Sequence, residues 1–376
     1  MHVNKTHLAL WERSLPSSDD FFDMSWGEKL TTLVWLGSLA PSSHNTQPWR
    51  FYCDQDGPSI TVAIDRSMIL PESDVAGREA VISIGCAVEN IDTAARAYGL
   101  LPEMYFHAID KAKLIPTNNP PMKSEIIPLV TMRFAEDMPD EKSQKLLPAL
   151  LSRRAMRTEF DPVIPVPEHV LLELREHLNG GLVSLHLVTD TLHRLSISEF
   201  QGQADGYVLN SPRFAHELGN WLLPNDTTSP VGMPGNTFGF DDAQAERIHH
   251  GLLGESELEP EDMLRFSLGG KIGFEKSPVI AFLTTENDDP ENWIAAGRAM
   301  ESAFLCLERE GISYAVHAAI VEVRLINRIF ATTLGTFKPL AAVFRMGYVK
   351  DESIKNERPH SPRQPLENIL LNEMPQ

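Results

Sequence analysis

Cysteine is scarce in this sequence, and the few cysteines lie far apart. The chain of 376 residues has three, Cys53, Cys86 and Cys306. No two of them have the close spacing of a zinc site, and a disulfide framework uses many cysteines in a short chain. We therefore expect a protein of a reducing compartment, with no metal site, in which these thiols are small buried side chains.

Basic residues and long apolar runs are also in short supply. Lysine and arginine number 33 against 52 aspartate and glutamate residues, which gives a formal net charge of −19. A surface of that charge repels phosphate backbones and anionic lipid headgroups, so neither nucleic acid nor a membrane is an expected partner. No apolar run approaches the roughly 20 residues that span a bilayer, and the polar start shows no secretory signal. These absences predict a cytoplasmic protein.

What the sequence does contain is an internal repeat. Residues 85–100 (GCAVENIDTAARAYGL) align without a gap with residues 297–312 (GRAMESAFLCLEREGI). Both segments have the apolar spacing of buried amphipathic helices, and Gly99 and Gly311 stand where a helix end needs left-handed backbone. Apolar strand-like runs follow at similar distances, at 128–132 and 339–345. The pattern favours a duplicated unit.

The most informative polar run is PSSHNTQPWR, residues 41–50. It follows an apolar helix and precedes a strand, and prolines bracket its short hydroxyl and amide side chains. Such a rigid loop can present several hydrogen-bonding groups to the polar edge of a ligand. A helix-stop turn accounts for the prolines, but it does not account for the alternation of Asn45, Gln47 and Trp49.

Residues 41–51 resemble the flavin loop of the nitroreductase family, which contacts the isoalloxazine ring and ribityl chain of flavin mononucleotide (FMN). Residues 74–90 are similar to the Acg-type branch of that family, in which one chain carries two nitroreductase-like halves. The resemblance covers most of the chain between residues 33 and 366. It implies five FMN-binding residues in this loop: Pro41, Ser42, Ser43, Asn45 and Gln47.

A basic cluster in this acidic chain is the second motif. Arg153, Arg154 and Arg157 stand close together just before a proline-rich segment. Guanidinium groups bind phosphate through paired donors, although a basic triplet is also typical of a solvated helix end. The spacing is similar to the Arg-x-Ser-x-Arg signature of the nitroreductase family, which implies a clamp on the FMN phosphate. Ala155 stands where the family usually has serine, so one hydroxyl contact is missing.

Two further segments resemble cofactor contacts of the family. Asn210 and Arg213 match an asparagine and a basic residue that reach the pyrimidine edge of the flavin, although a loop before a helix would read the same way. Positive charge there offsets the negative charge that accumulates on reduction. Arg363, in a C-terminal Pro-Arg motif, is implied to return to the phosphate. No catalytic side chain is assigned, because the flavin carries the redox chemistry.

The motifs are divided unevenly along the chain. The loop occurs only in the first half, whereas the arginine cluster, Asn210 and Arg363 occur only in the second. We therefore expect two halves, 1–145 and 146–376, that build one FMN site between them as a pseudo-dimer. The resemblance implies an α+β nitroreductase fold with two antiparallel-rich sheets, each packed with helices and related by a pseudo-two-fold axis.

The resemblance implies an oxidoreductase that takes hydride from NAD(P)H and reduces a small acceptor, such as a nitroaromatic or a quinone, through FMN. A second interpretation follows from residues 224–240, a long segment rich in glycine and proline. This segment is either a lid over the cofactor or a mobile surface insertion. A permanent lid would make the chain an FMN-sequestering protein with little turnover. A chain that completes its own site is expected to be a monomer or a weak homodimer.

Overall fold

A computed structural model describes residues 6–116, 125–179, 181–333 and 335–375. Its strands are β1 (Trp49–Asp54), β2 (Ser59–Asp65), β3 (Leu100–Phe106), β4 (Ile126–Glu136), β5 (Val183–Val188), β6 (Leu222–Leu223), β7 (Met233–Pro234), β8 (Val279–Thr285), β9 (Ser313–Val316), β10 (Leu340–Gly347) and β11 (Leu370–Leu371). Its α-helices are α1 (Ser18–Asp23), α2 (Trp26–Ser38), α3 (Arg78–Ala97), α4 (Glu141–Leu146), α5 (Ala149–Ser152), α6 (Glu168–Leu178), α7 (Thr191–Asn210), α8 (Pro212–Trp221), α9 (Asp242–Leu252), α10 (Pro260–Glu275), α11 (Pro290–Arg309), α12 (Ala319–Glu322), α13 (Arg324–Thr333), α14 (Glu352–Glu357) and α15 (Leu366–Ile369).

The two main sheets have the same internal strand order. The first runs β11-β1-β2-β4-β3 and the second runs β5-β8-β10-β9. The pairs β1–β2, β2–β4 and β4–β3 are antiparallel, as are β5–β8, β8–β10 and β10–β9. In each half a long helix, α3 or α11, lies between the second and third strand along the chain. The predicted α+β class with antiparallel-rich sheets packed with helices is confirmed.

Helices α3 and α11, which contain the repeat, cross at two equivalent glycines. A Cβ on Gly85 would lie 2.3 Å from the Ile294 carbonyl oxygen, and a Cβ on Gly297 would lie 2.0 Å from that of Ile82. Only glycine permits so close an approach of two helix backbones. Beyond the helices, Gly99 and Gly311 have φ of 80° and 69°. These values confirm the predicted left-handed helix ends.

Helix α2 delivers the chain to the polar loop. Ser25 caps the helix reciprocally with Glu28, each side chain bonding the backbone N–H of the other. The apolar face that follows is buried in the core, including Leu30 and Leu33. Because Pro41 has no N–H to donate, the helix does not continue into the loop.

The C-terminal segment crosses to the first sheet. Phe51 of β1 is in parallel register with Leu370 of β11, and the Arg363 N–H donates to the His7 carbonyl at 2.8 Å. The predicted division at 145/146 therefore does not separate the sheets. Strand β11 was not predicted from the sequence, because a two-residue strand has no periodicity to reveal it.

The second half carries a large insertion between β5 and β8, where the first half has a short turn. The insertion contains α7 to α10, and residues 224–240 connect α8 to α9. Its end nearest the polar loop has a small apolar core of its own, to which Phe238 and Phe240 add their rings. The buried members of this core are Leu209, Ala215, Leu218, Leu222, Met233, Ile248 and Leu252.

Candidate functional site

The polar loop contains three non-glycine residues with left-handed backbone. The angle φ is 46° at His44, 55° at Asn45 and 53° at Gln47. Such conformations cost free energy and persist where surrounding contacts over-determine them. Within the loop, the Gln47 N–H donates to the Ser42 hydroxyl at 3.0 Å. Backbone strain held by specific contacts is common at ligand-binding segments.

The predicted loop residues do not all face the same space. Pro41, Ser42 and Asn45 line a cavity. Ser43 instead donates its hydroxyl to a carboxylate oxygen of Glu79 at 2.8 Å, at the start of α3. The structure thus gathers three of the predicted loop residues at the cavity, whereas Ser43 bonds to the neighbouring helix.

Hydrogen bonds join this loop to residues 224–240. The Asn45 side-chain amide donates to the Gly232 carbonyl at 2.8 Å, and the Gly232 N–H donates back to the Asn45 carbonyl at 3.2 Å. The Gln47 side-chain amide donates to the Pro230 carbonyl at 2.7 Å. Gln47 therefore holds the segment rather than lining the cavity.

Arg153 is held by internal partners. Its Nε lies 2.5 Å from Oε1 of Glu301, and both side chains are almost completely buried. One guanidinium nitrogen donates to the Leu39 carbonyl, and another donates to the Tyr314 hydroxyl at 3.3 Å. Arg153 also lines the cavity. It therefore contacts both a buried carboxylate and the space where the sequence predicts a phosphate.

Arg154 and Arg157 line the same cavity but differ in their partners. Arg154 donates to the Lys355 carbonyl at 3.2 Å, at the end of α14. The Arg157 guanidinium lies over the Phe238 ring, 4.4 Å from its centre. Among the residues described, no carboxylate pairs with Arg157. Arg157 is thus a partly buried cation that contacts an aromatic ring and a methionine sulfur.

Arg363 ties the C-terminal segment to the polar loop. It donates to the carbonyls of Leu39 at 2.8 Å and Ala40 at 3.0 Å, and to the side-chain oxygen of Asn45 at 3.0 Å. The guanidinium lies over the Trp11 ring at 4.8 Å. Arg363 therefore joins the N-terminal segment, the polar loop and the C-terminal segment.

The cavity between these groups has a volume of about 70 Å³. Five arginines line it, and none of its described lining residues is acidic; the five are Arg153, Arg154, Arg157, Arg358 and Arg363. Measured as space open to the centre of a water-sized sphere, a cavity needs roughly 10–15 Å³ to hold one water molecule. The cavity thus has room for a group of about the size of a phosphate, and not for a three-ring system.

The charge in this cavity is incompletely balanced. Burial, with repulsion from Arg153 added, lowers the pKa of Arg363 to about 9. Burial lowers the pKa of Arg157 to about 10, and burial followed by repulsion from Arg154 lowers that of His360 to about 3. Each of these pKa values is lowered because burial disfavours the positively charged form, and a bound anion would stabilise that form. The arrangement is suited to a phosphate, which accepts several guanidinium hydrogen bonds at once.

Asn210 and Arg213 are not brought to this cavity. Asn210 is exposed at the end of α7, where its side chain donates to the Gly206 carbonyl at 2.7 Å. Arg213 is in the first turn of α8 and lines a separate open groove with Glu72. Pro212 starts a new helix between the two residues. Asn210 and Arg213 lie apart from the arginine-lined cavity, and their contact with the pyrimidine edge of the flavin stays a prediction.

Sequence analysis missed several residues of the site. Trp11 and His360 stack at 4.1 Å beside the cavity, and Arg358 adds another cation to its wall. Single aromatic and basic residues of this kind have no motif that could reveal them. Glu301 did have a signal, since the repeat aligns it with Glu89 on a buried helix face.

Residues 224–240 form one wall of the cavity. Met233 and Thr237 line it, and Phe238 stacks on Phe240 with ring centres 5.7 Å apart. The segment is attached to the polar loop by the bonds of Asn45 and Gln47 already described. It is therefore packed against the site and not extended into solvent.

The cysteines take no part in this site. All three are free, with Cys86 and Cys306 buried, and burial raises the pKa of Cys53 to about 12. In the ranges that the structure describes, no group of three or more histidine, cysteine or acidic side chains could hold a metal ion. Within the same ranges, no helix combines the length and apolar character needed to cross a bilayer.

Curated relatives match the chain over most of its length, although no family profile does. The "Putative NAD(P)H nitroreductase acg" of Mycobacterium tuberculosis (strain ATCC 25618 / H37Rv) is 21% identical over 347 residues, 91% of this chain and 95% of that protein. Over most of its length the chain is therefore similar to proteins named as nitroreductases. Another relative from the same strain, "Putative NAD(P)H nitroreductase Rv3131", is 26% identical over 287 residues, 76% of this chain and 75% of its own length.

Solved nitroreductases resemble part of this longer chain. The FMN and NADPH-dependent nitroreductase NfnB from "sphigopyxis sp. strain HMH" has a TM-score of 0.41 and 19% identity, and the match covers 61% of this chain and 99% of that one. NfnB from Mycobacterium smegmatis, solved in complex with NADPH, has a TM-score of 0.39 and 18% identity, with coverage of 62% and 100%.

Proposed function

We propose that this chain is an FMN-dependent oxidoreductase of the nitroreductase family that takes hydride from NAD(P)H and passes electrons to a small acceptor, such as a nitroaromatic or a quinone. The observation that carries the proposal is the cavity, where the polar loop and the arginines of the second half meet. The names of the curated relatives support NAD(P)H as the electron donor. The loop motif, by its resemblance to the family, supports FMN as the cofactor.

The described residues fit the phosphate end of FMN. Arg157 has no carboxylate partner in the described chain, and Nε of Arg363 has no hydrogen-bond partner there although it is buried. A phosphate would supply the acceptors that both groups lack. Arg153 would contribute from the opposite wall, and Ser42 and Asn45 would face the ribityl side.

The ring end of FMN requires more space than the cavity of about 70 Å³ offers. Residues 224–240 close the cavity beside Asn45, through the bonds to Gly232. Cofactor entry therefore involves displacement of this segment from the loop. The segment is the lid of the proposed site.

The protein contributes binding, orientation and exclusion of water, while FMN when bound supplies the carrier of two electrons. Arg363 fixes the side chain of Asn45, so that its amide is presented in one orientation. Burial, with repulsion from Arg157 added, lowers the pKa of His44 to about 4. His44 is therefore neutral at physiological pH and adds no positive charge to the site.

Anaerobic stopped-flow mixing of the FMN-loaded protein with NADH or NADPH tests the proposal. We expect the oxidised flavin absorbance to bleach with at least one of the two, and to return when a nitroaromatic or a quinone is added. Flavin that remains oxidised with both donors would contradict the oxidoreductase proposal.

The second candidate is an FMN-sequestering protein with little turnover. The hydrogen bonds between the loop and residues 224–240 favour it, because a lid attached at Asn45 and Gln47 shields the site. The same stopped-flow experiment separates the two candidates. Tight FMN binding together with bleaching that takes minutes or longer would identify the sequestering protein.

The site is formed within one chain by the two halves, 1–145 and 146–376, as a pseudo-dimer. The C-terminal segment of the second half crosses to the sheet of the first half. The equal strand order of the sheets and the crossing of α3 and α11 support this arrangement. The chain is then a monomer or a weak homodimer. Sedimentation analysis of the FMN-loaded protein should give a monomer that retains its flavin on dilution.

A further inference from the structure

A buried carboxylate lies behind the phosphate cavity. Glu301 on α11 has no exposed surface, and its Oε1 lies 2.5 Å from Nε of Arg153. Its Oε2 accepts no hydrogen bond from the described residues. Arg153 therefore already contacts one anion before any ligand reaches the cavity.

We propose that Glu301 is a proton-accepting counter-ion: it balances Arg153 while the cavity lacks an anion, and it takes up a proton when a phosphate ligand binds. The inference rests on the proposed function, because FMN provides that phosphate. A second anion beside Arg153 disfavours the charged carboxylate, and protonation removes the repulsion. The proton comes from solvent and bonds to a carboxylate oxygen of Glu301, and no bond within the ligand changes.

The surroundings of Glu301 raise its pKa toward neutral pH, where protonation on ligand binding can be measured. Burial raises the pKa of Glu301 to about 7, with Arg153 acting against this shift and Glu89 adding to it. Tyr314 and Cys86 stay protonated, because burial raises the pKa of both. The titratable and charged groups that face this carboxyl are Arg153, Arg363, Tyr314, Cys86 and Glu89. An added anion moves the pKa of Glu301 further upward, so binding near pH 8 consumes a proton.

The repeat supplies a matched control for this carboxylate. Glu89 is aligned with Glu301 on the equivalent helix and is also held in an ion pair, although its side chain is partly exposed. Its partner is Arg298, at 3.0 Å, which does not line the cavity. An anion bound in the cavity should therefore leave the protonation of Glu89 unchanged.

Isothermal titration calorimetry with FMN at pH 8, in two buffers of different ionisation enthalpy, measures the protons taken up per ligand. The phosphate of FMN is fully ionised at this pH, since its second pKa is about 6. Wild type should take up roughly half a proton or more per FMN. Glu89→Gln should still take up part of a proton, although loss of the Glu89 charge lowers the pKa of Glu301. Glu301→Gln should take up close to none, and riboflavin, which lacks the phosphate, should cause no uptake in any variant.

FMN binding to wild type without proton uptake would overturn the inference, as would uptake that persists in Glu301→Gln. Inorganic phosphate, titrated in the same way, separates this inference from the proposed function. Phosphate binding with uptake, but no FMN binding, would support the role of Glu301 and end the FMN proposal. Binding of neither anion would overturn both.

A second measurement covers the case in which Glu301→Gln does not fold. The affinity of wild type for FMN should weaken by up to roughly tenfold between pH 8 and pH 9, because one proton is taken up on binding. The affinity for riboflavin should not change over that interval. An FMN affinity that is equally flat would contradict the proposal.

Discussion

At the scale of single residues, the cavity arginines differ in what already holds them. Arg153 has a carboxylate partner, and Arg363 bonds the backbone of the polar loop. Arg157 has neither and lies against Phe238. A bound phosphate should therefore gain the most binding free energy from Arg157, because the charge of this side chain is desolvated and has no anion beside it.

Changing Arg157 to Ala should weaken FMN binding by about 2–4 kcal/mol, as expected when a desolvated charge pair loses one member. Riboflavin should be almost indifferent to the change, which equilibrium fluorescence titration would show. Arg133→Ala is the control, because Arg133 is exposed on β4 and does not line the cavity. Equal weakening of FMN and riboflavin by Arg157→Ala would mean that this arginine does not hold the phosphate.

The buried carboxyl of Glu79 predicts a pH-dependent free energy of unfolding, which can be measured without a ligand. Burial, followed by repulsion from Asp74, raises its pKa to about 7, whereas an unfolded glutamate titrates near pH 4.3. The folded state thus binds more protons between these values, and the free energy of unfolding falls as the pH rises through them.

Glu79→Gln removes this titration. The stability of the variant relative to wild type should increase by about 1–3 kcal/mol between pH 5 and pH 8. Urea denaturation at each pH measures the difference. A difference that is constant, or that decreases toward pH 8, would show that the Glu79 carboxyl is not held in its neutral form.

Residue motifs revealed the site only in part. The loop and the arginine cluster were recognisable because several residues of fixed spacing act together. Asn210 and Arg213 had a shorter motif, and they lie on either side of the helix break at Pro212, apart from the cavity. Trp11 and His360 reach the cavity through tertiary packing alone, which no local pattern encodes.

At the scale of elements, residues 224–240 decide between an enzyme and a sequestering protein. Phe238 stacks on Phe240 and covers Arg157. Both rings also pack against the small core of α8 and α9. Opening the site therefore breaks apolar contacts as well as the hydrogen bonds to the loop.

Replacing Phe238 and Phe240 by Ala, or shortening the segment, should speed flavin reduction by NAD(P)H at least roughly tenfold, which is about 1.4 kcal/mol of barrier. Stopped-flow absorbance of the FMN-loaded variants gives the rate. Phe337→Ala is the control, because that ring is fully exposed. If the variant keeps its flavin and is reduced as slowly as wild type, residues 224–240 are not the gate.

The crossing of α3 and α11 is the second test at this scale. Gly85→Ala would place a methyl group 2.3 Å from the Ile294 carbonyl, so the helices must separate. We expect a loss of about 3 kcal/mol or more in the free energy of unfolding. Gly206→Ala is the matched control, because a Cβ there meets no atom within 4 Å.

Thermal unfolding of both glycine variants measures the outcome. Gly206→Ala should be neutral or gain about 0.5–1 kcal/mol, since alanine is the better helix former. A Gly85→Ala protein as stable as wild type would contradict the close crossing of the two helices.

The main helices and strands were predictable because their apolar spacing extends over many residues. Helix α3 begins at Arg78, before the repeated segment that predicts it, because Asp74 accepts hydrogen bonds from the N–H groups of Glu79 and Ala80. The two-residue strands β6, β7 and β11 gave no such signal, since their pairing depends on distant parts of the chain.

At the scale of the whole molecule, the account depends on two halves that complete one site. The sequence predicted the repeat, and the sheets share one strand order. It did not predict that the C-terminal strand returns to the first sheet. That return places Arg363 against the loop and Trp11, so the ends of the chain and its middle meet at the cavity.

The number of flavins bound per chain tests this account most directly. FMN is reconstituted into the full-length protein, excess is removed, and the flavin released by denaturation is quantified by absorbance against protein concentration. In the part of the chain that the structure describes, the arginines of the second half and the loop of the first half meet at one cavity, so the account predicts one FMN per chain, held non-covalently. Two FMN per chain, or none after reconstitution, would contradict it.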